Sequence, residues 1–439
     1  MLNYIWLGLV LAGVLLGALT GRLGEVATGA IDMTKLAVMD IALPLAGVMA
    51  LWLGLMRLAE RSGLVLILAR VLRPAMRRLF PDVPSEDPAI GAIVMNMAAN
   101  MLGLANAATP LGLRAMQHLE RLNPHPGTAT NAMCTFLALN TSSVQLIPAT
   151  VVAILAAAGS TNPTAVIGPA FVATLCSTIA AVIAVKFLEK LPVYRLPAAP
   201  APTAEDVKMA VAAAAEEEEV LPDNPPPLQW WGMLILLAFL AVMAVAAVQL
   251  VVNPAGDISS NPVARVVSAI STLAIPFLLA FFPLYACLRR VPVYEEFVDG
   301  AKEGFQVAVR IIPFLVAILV AIGMFRAAGG IDYMARALGP LLNVVGFPVE
   351  LLPMVLIRPL SGSGATGLFT DVVANNGPDS LAAMMGGSIM GSTETTFYVI
   401  AVYFGSVAVR RTRHAVPAGL IADATGVIAS LVVCRLLFA

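Results

Sequence analysis

Four polar interruptions in otherwise apolar sequence carry the side chains that could do chemistry. Two of them read as the tips of helical hairpins, where amide and hydroxyl groups lie next to backbone that cannot be fully helical. Oxygen atoms of this kind bind polar solutes and hard cations such as Na⁺. We therefore predict a substrate-binding set made of Asn100, Asn106, Thr109, Ser361, Ser363 and Thr366.

Each hairpin is followed by a second polar break within an apolar run. Serine, threonine and asparagine in such runs also allow helices simply to pack closely and share hydrogen bonds. Because the breaks occur in pairs, we favour binding over packing. The predicted ion- or substrate-binding set is Asn140, Thr141, Ser142, Ser143, Gln145, Ser392, Thr393 and Glu394.

The first hairpin tip contains Thr109 followed by Pro110. Threonine is a good N-cap and proline suits the first helical position, so a half-helix is predicted to begin at Pro110. The free N–H groups and positive end of such a half-helix attract carboxylates and phosphates. The second tip, residues 358–367, offers the same opportunity.

Glu394 is the strongest single candidate for a functional residue, because a charge at the centre of a bilayer costs roughly 2.5–3.5 kcal/mol on insertion scales. It therefore needs a partner or a proton. Arg358 is the candidate partner in a structural charge pair, and coupling to a proton or cation is the competing interpretation.

Other chemistry has little support in the sequence. No nucleophile–base arrangement or metal-ligand spacing is evident, and the Ser-Gly-Ser-Gly run at 361–364 lacks the GxxxxGK[ST] pattern of a phosphate loop. The four cysteines form no CxxC pair, and a net charge of −1 does not favour nucleic acid. We predict no enzyme, no catalytic residue, no metal and no cofactor beyond a coupling ion, Na⁺ or H⁺.

The elements that must position these residues are membrane helices. Hydrophobic residues make up 59% of the 439 and charged residues only 12%, about half the charge of a soluble domain. Two apolar stretches that are broken in the middle, 89–122 and 349–375, predict hairpins that enter and leave from one side. The predicted full spans are 4–20 (retained rather than cleaved), 36–58, 132–158, 165–187, 230–252, 263–288, 307–328, 381–409 and 415–438.

A signature recurs in the two halves. Gly63 and Pro74 bracket Ala-Arg-Val-Leu-Arg, and Gly329 and Pro340 bracket Ala-Arg-Ala-Leu-Gly with the same spacing. Repeats with interrupted helices are typical of transporters whose site lies at the midplane. The predicted units are a first repeat at 1–191, a Pro/Glu-rich cytoplasmic linker at 192–228, a topology-inverting helix at 229–253 and a second repeat at 254–439.

Basic residues predict that the two repeats are inverted. The segment after the second span is rich in arginine and should be cytoplasmic. The basic loop 410–414 corresponds to the uncharged loop 159–164, so corresponding loops belong to opposite faces. The predicted fold is all-α: a polytopic membrane protein of two inverted repeats, each with a re-entrant hairpin and a broken transmembrane helix. The N-terminus and linker are predicted to be cytoplasmic and the C-terminus outside.

The motifs resemble those of the spore maturation proteins. Asn-Ala-Ala-Thr-Pro-Leu-Gly at 106–112 and Leu-Asn-Thr-Ser-Ser at 139–143 resemble spore maturation protein A. Arg-Pro-Leu-Ser-Gly-Ser-Gly-Ala at 358–365 and Gly-Ser-Thr-Glu-Thr-Thr-Phe-Tyr at 391–398 resemble spore maturation protein B. The chain is thus similar to a fusion of the two. The resemblance implies a nucleoside recognition (Gate) protein of the bacterial inner membrane, and dimers among its relatives imply a homodimer.

These patterns are consistent with three hypotheses about function. The leading hypothesis is a secondary transporter of a small polar or anionic solute, working by alternating access between the repeats. The second is a translocase that takes the headgroup of a lipid-linked or cell-envelope precursor. The third is a non-transporting scaffold for envelope or spore maturation. The expected partners are a small solute or lipid headgroup and membrane lipid, and not nucleic acid.

Overall fold

The computed structural model describes residues 2–84, 87–103, 105–142, 144–196, 226–252 and 262–438. Most of the predicted linker 192–228 lies outside these residues. The N-terminal half begins with α1 (Leu2–Thr20) and α2 (Leu23–Lys35), and a π-helical stretch (Leu36–Ala42) leads into α3. It continues with α3 (Leu43–Arg61), α4 (Leu64–Leu79), α5 (Pro88–Met101), α6 (Ala105–Arg121), α7 (Asn131–Ser142), α8 (Ala149–Ala157) and α9 (Ile167–Leu188).

The C-terminal half follows the same order of elements. Two long apolar helices, α10 (Trp230–Val252) and α11 (Pro262–Leu288), precede it. It then comprises α12 (Val293–Ala327), α13 (Gly330–Val345), α14 (Leu352–Ile357), α15 (Gly362–Asn376), α16 (Leu381–Ser392), α17 (Thr396–Ser406) and α18 (Ala415–Phe438). Gly63 and Gly329, the glycines of the repeated signature, adopt φ of 80° and 83° before α4 and α13. Glycine is the residue that takes this left-handed conformation without strain.

Within the described residues, five helices are long and apolar enough to cross a membrane. They are 23–61 (α2, the π-helical stretch and α3 together), Ile167–Leu188, Trp230–Val252, Val293–Ala327 and Ala415–Phe438. Every regular element of the described chain is helical. These findings confirm the predicted class: the protein is an all-α, multi-pass membrane protein.

Two predicted spans are longer in the structure than in the sequence analysis. The span predicted at 36–58 belongs to a helical segment of 39 residues that begins at Leu23, and the span predicted at 307–328 is the end of α12, which has 35 residues. The charged side chains at the start of α12 are unlike a membrane span, so the sequence analysis did not include this first part of the helix in the predicted span. Those charges pair with α3: Arg57 lies 3.0 Å from Glu296 and 3.2 Å from Glu303.

The two halves are joined by loop contacts at two separate places. The loop after α6 meets the loop after α17, where the N–H of Ala129 donates to the Arg411 carbonyl at 3.0 Å. The loop after α8 meets the loop after α15, where Ser160 and Thr161 both donate to the Asp379 carboxylate. Desolvation acts to raise the pKa of Asp379, but these hydrogen bonds outweigh it and hold that pKa below its usual value.

The first of these contacts includes a buried histidine. Arg413 donates to the carbonyls of Ala129 and Tyr194, at 3.0 and 2.9 Å. His414 is fully buried beside the Tyr194 ring, with 5.7 Å between ring centroids. Its ring nitrogens have no hydrogen-bond partner among the described residues. Burial, assisted by the charges of Arg413 and Lys186, lowers the pKa of His414 to about 4.

Candidate functional site

The first hairpin turns at Gly103, whose φ is 75°. Here the structure corrects the sequence analysis, because α6 begins at Ala105 and Pro110 lies inside it rather than at its first position. The glycine reverses the chain within the turn, so the helix starts several residues before Thr109. Thr109 is therefore a partly buried residue within α6 and not its N-cap. The side chain of Asn106 lies outside the described part of the structure.

A network of amides and one phenol connects this hairpin to the broken helices. Asn100 Nδ2 donates to Asn140 Oδ1 at 3.0 Å, and the hydroxyl of Tyr403 donates to the same oxygen at 3.4 Å. Asn96 is fully buried and donates to the Ala108 carbonyl at 2.7 Å. The network brings α5, α7 and α17 together without any formal charge, so it can present amide groups but cannot bind a cation by charge.

The first break separates α7 from α8. The backbone N–H of Leu146 in this break donates to the Met101 carbonyl at the hairpin tip, at 3.0 Å, so hairpin and break support each other. Thr141 and Ser142 are buried and donate to carbonyls of their own helix, at 3.0 and 3.2 Å. Ser143 lies outside the described residues.

The second hairpin joins α14 to α15 through residues 358–361. Ser361 caps α15, since its hydroxyl accepts from the N–H of Gly364 at 3.0 Å, and it lies 3.4 Å from the Ser363 hydroxyl. Thr366 lies one turn further on and donates to the Gly362 carbonyl at 2.9 Å. This tip is thus an ordered helix start, and its hydroxyls are largely engaged with their own backbone.

Arg358 organises the second break, between α16 and α17. It is buried and donates to Thr393 Oγ1 at 3.1 Å, to the Met390 carbonyl at 2.9 Å and to the Thr393 carbonyl. Its guanidinium also lies 3.7 Å from a carboxylate oxygen of Glu394. The structure therefore brings together the two members of the predicted charge pair. Ser392, the remaining candidate here, is buried and lies 3.1 Å from the Ser430 hydroxyl of α18.

The two breaks meet. Gln145 Nε2, in the first break, donates to Glu394 Oε1, in the second, at 3.2 Å. The Glu394 side chain is 26% exposed, whereas the Arg358 side chain is 7% exposed. Glu394 therefore stands between a buried cation on one side and a neutral amide from the other half on the other.

Asp423 of α18 was not among the predicted site residues, although the sequence places it within the last span. Thr396 Oγ1, at the start of α17, donates to Asp423 Oδ2 at 2.5 Å. The signal for this residue was available: it is a carboxylate within the apolar run 415–438, where a charge is costly. Asn96 and Tyr403 were also missed, and only the fold reveals that they join the amide network.

A cavity of about 470 Å³ lies at the second hairpin tip. Its walls are mostly apolar and come from α1 and α12, and its polar end is formed by the start of α15. The lining residues are Trp6, Leu7, Phe314, Ala317, Ile318, Ser361, Ser363 and Gly364.

Both breaks lie in segments of the chain that match a known protein family. Residues 42–158 and 308–410 match the Gate model, whose description is nucleoside recognition. The chain belongs to the nucleoside recognition (Gate) family. The matched segments include both hairpins and both breaks, so the geometry described above lies in the Gate segments.

Two relatives of this Gate protein come from Bacillus subtilis. The chain is 43% identical to spore maturation protein B over 174 residues, which cover 98% of that protein and 40% of this chain. It is 44% identical to spore maturation protein A over 183 residues, which cover 93% of that protein and 42% of this chain. These two matches are consistent with a fused A/B protein and confirm the resemblance read from the motifs.

Two further similarities are weaker. The inner membrane protein YjiG of Escherichia coli K12 is 30% identical to this Gate protein over 80 residues, 52% of YjiG and 18% of this chain. The crystal structure of the YdaH transporter of Alcanivorax borkumensis superposes with a TM-score of 0.45 and 16% identity, over 98% of this chain and 97% of YdaH.

Proposed function

We propose that this Gate protein is a secondary transporter of the inner membrane, which moves a small polar or anionic solute by alternating access. The observation that carries the proposal is the contact between the two breaks, Gln145 with Glu394. Non-helical backbone at membrane depth is tolerated only where protein buries it or where it lines a cavity. Two such breaks facing each other form the kind of site at which transporters bind solute.

We further propose that the two halves are inverted repeats. Each loop contacts a loop of the other half that is not its own counterpart, which supports this topology. The loop after α6 pairs with the loop after α17, and the loop after α8 pairs with the loop after α15. In an inverted arrangement the first pair lies on the cytoplasmic face, with the N-terminus and linker, and the second pair lies outside, with the C-terminus. The basic residues at 410–413 agree with this assignment.

In the proposed mechanism the neutral and charged breaks have different tasks. Asn100, Asn140 and Gln145 present amides to the solute, and no covalent step or cofactor is involved. Arg358 fixes Thr393 and Glu394 at the second break, and Glu394 responds to the coupling ion, Na⁺ or H⁺. Rocking of one half against the other breaks the Gln145–Glu394 contact and exposes the site to the opposite face.

Uptake into proteoliposomes tests this function. A panel of radiolabelled amino acids, carboxylates, nucleosides and phosphate esters is offered with a Na⁺ gradient, a pH gradient or neither. We expect gradient-dependent uptake of one class, and a loss of more than about tenfold in Glu394→Gln, because tenfold corresponds to only 1.4 kcal/mol. The exposed Arg435→Ala is the matched control. Absence of flux for every class under every gradient contradicts the proposal.

The cavity favours a second candidate, a translocase for a lipid-linked precursor. An apolar cavity whose walls include Trp6 and Leu7 of α1, and which ends at Ser361 and Ser363, matches a lipid chain with its headgroup at the hairpin tip. Leu7 is 46% exposed, so α1 forms a boundary that faces lipid. Photocrosslinking from position 7 to a long-chain prenyl phosphate, abolished by Ser363→Trp, favours the translocase; crosslinking that Ser363→Trp leaves intact excludes it.

A further inference from the structure

The Asp423 carboxyl group occupies an unusual place in the fold. It is 6% exposed, and although Oδ2 accepts from Thr396, Oδ1 has no hydrogen-bond partner in the part of the chain that the structure describes. A buried carboxylate oxygen without a donor is costly. The residue also lies beyond the two segments that match the Gate model, which end at residue 410.

The charges around Asp423 do not balance. The titratable groups that face it are Arg358 and Glu394, beside the backbone amide of Glu394. The neighbouring helices contribute polar groups without charge: Thr141 of α7 beside Gly419, Ser177 of α9 and Ser392 of α16. One guanidinium therefore stands against two carboxylates, and one positive charge is missing in a buried region.

The cation that supplies the missing positive charge must fit into very little space. A methyl group added at Gly419 would lie 2.8 Å from Thr396 Cγ2, and one added at Gly426 would lie 2.9 Å from the Ser392 carbonyl. A Na⁺ ion needs a shell of several oxygens at about 2.3–2.6 Å, as hard cations do, and close packing on both sides of Asp423 along α18 does not favour one. A proton on Oδ1 removes the charge and requires no space.

We propose that Asp423 is a proton-binding site and that its proton is the coupling ion of the transporter. In the structure Asp423 is the neutral acid and Glu394 the carboxylate. When α17 moves, the O–H bond of Asp423 breaks and its proton passes to a carboxylate oxygen of Glu394, which leaves Asp423 as the carboxylate. The partly exposed Glu394 then exchanges that proton with water. The coupling role rests on the transport proposed above; the protonated carboxyl does not.

Infrared difference spectroscopy of the full-length protein in lipid nanodiscs tests the site without any solute. We expect a protonated-carboxyl band at pH 7 in the wild type, absent from Asp423→Asn and shifted but present in Asp423→Glu. The matched control is Asp371→Asn, because Asp371 is also buried but is paired with Arg326 at 2.5 Å; it should keep the band. A wild type without the band, a band that survives Asp423→Asn, or one that Asp371→Asn removes, overturns the proposal.

Flux measurements separate this inference from the transport proposal. If a solute is found, its uptake should respond to a pH gradient in the wild type and lose that response in Asp423→Asn. Uptake that ignores the pH gradient in the wild type refutes the coupling role while transport stands. The carboxyl band without flux for any solute refutes transport while the proton site stands.

Discussion

The two breaks differ in the side chains that surround them, which are neutral in one and charged in the other. The first is surrounded by neutral amides: Asn100, Asn140 and Gln145 donate to and accept from one another and their neighbours. The second is organised by charge, with Arg358 buried among carbonyls and Glu394 beside it. Both interrupt an apolar helix at the same position in their half, so the element order is repeated while the chemistry is not.

This difference shows that two halves with the same order of elements can carry different side-chain chemistry. A neutral amide network recognises a polar solute through directional hydrogen bonds and is insensitive to pH. A cluster of one buried arginine and two nearby carboxylates changes its net charge when a carboxylate binds or releases a proton. On the proposed transport function, we therefore expect solute recognition in the first half and energy coupling in the second.

The largest expected effect comes from removing the cation of the second break. Arg358→Ala leaves the Met390 and Thr393 carbonyls without their donor and Glu394 without its counter-charge, so we expect a loss of about 3–5 kcal/mol in unfolding free energy. Unfolding in mixed micelles by a denaturant titration measures it. Arg435→Ala, at an exposed arginine of α18, should change stability by less than about 0.5 kcal/mol; equal losses in the two variants would contradict the central role of Arg358.

His414, which lies outside the second break, is a separate source of pH-dependent stability. Its contribution must be measured before any pH dependence is assigned to the second break. The folded-state pKa of His414 is about 4, below the ordinary value of 6.5. Below pH 6.5 the unfolded chain therefore binds a proton that the folded chain does not, and stability falls as pH drops from about 6.5 to about 4. The loss should total about 3 kcal/mol.

His414→Phe should flatten the stability profile in that pH window, as thermal unfolding between pH 4 and pH 7 would show. His125→Phe, at a partly buried histidine in the loop after α6, is the matched control. If His414→Phe keeps the wild-type slope, the buried ring is not the group that titrates, and the second break must be considered as its source.

Asn140 tests whether the first break depends on neutral hydrogen bonds. Asn140→Leu removes the nearer of the two acceptors of the partly buried Asn100 Nδ2 and leaves only Asn96 Oδ1 at 3.5 Å, so we expect a loss of about 1–3 kcal/mol and weaker uptake without altered pH response. Asn140→Asp keeps the acceptor but adds a charge, and should make uptake pH-dependent in a new way. If Asn140→Leu instead abolishes the response to a pH gradient, the division between the two breaks is wrong.

The smallest effect is expected at Tyr403. Its hydroxyl donates to Asn140 over 3.4 Å, a long and therefore weak hydrogen bond, while its ring packs beside Phe136 with 5.7 Å between centroids. Tyr403→Phe keeps the ring and should cost less than about 1 kcal/mol. Tyr403→Ala, which removes the ring as well, should cost several times more in the same unfolding assay.

The sequence predicted where the helices break, because hydroxyl and amide residues within apolar runs are costly unless they serve a break or a contact. The Arg358–Glu394 pair was predictable for the same reason. The start of α6 was not, since Thr109 and Pro110 form a good helix start in isolation, and only the tertiary turn at Gly103 places the start earlier.

Long-range partners were beyond the reach of the sequence. Nothing local shows that Gln145 meets Glu394, or that Asp423 meets Thr396, because each pair joins segments that come together only in the folded chain. The hydroxyls of Thr141 and Ser142 look equally available in the sequence, yet the structure directs both to carbonyls of their own helix. Local pattern names the polar residues, and packing decides which of them remain available.

Cysteine accessibility tests the central claim, that the two halves are oppositely oriented, most directly. In a background without the native cysteines, single cysteines replace the exposed residues Pro124, Arg410, Ala158 and Asn376 in oriented membrane vesicles. A membrane-impermeant maleimide should label positions 124 and 410 from the cytoplasmic side only, and positions 158 and 376 from the opposite side only. Labelling of 158 and 410, the corresponding loops of the two halves, from the same side would contradict the account.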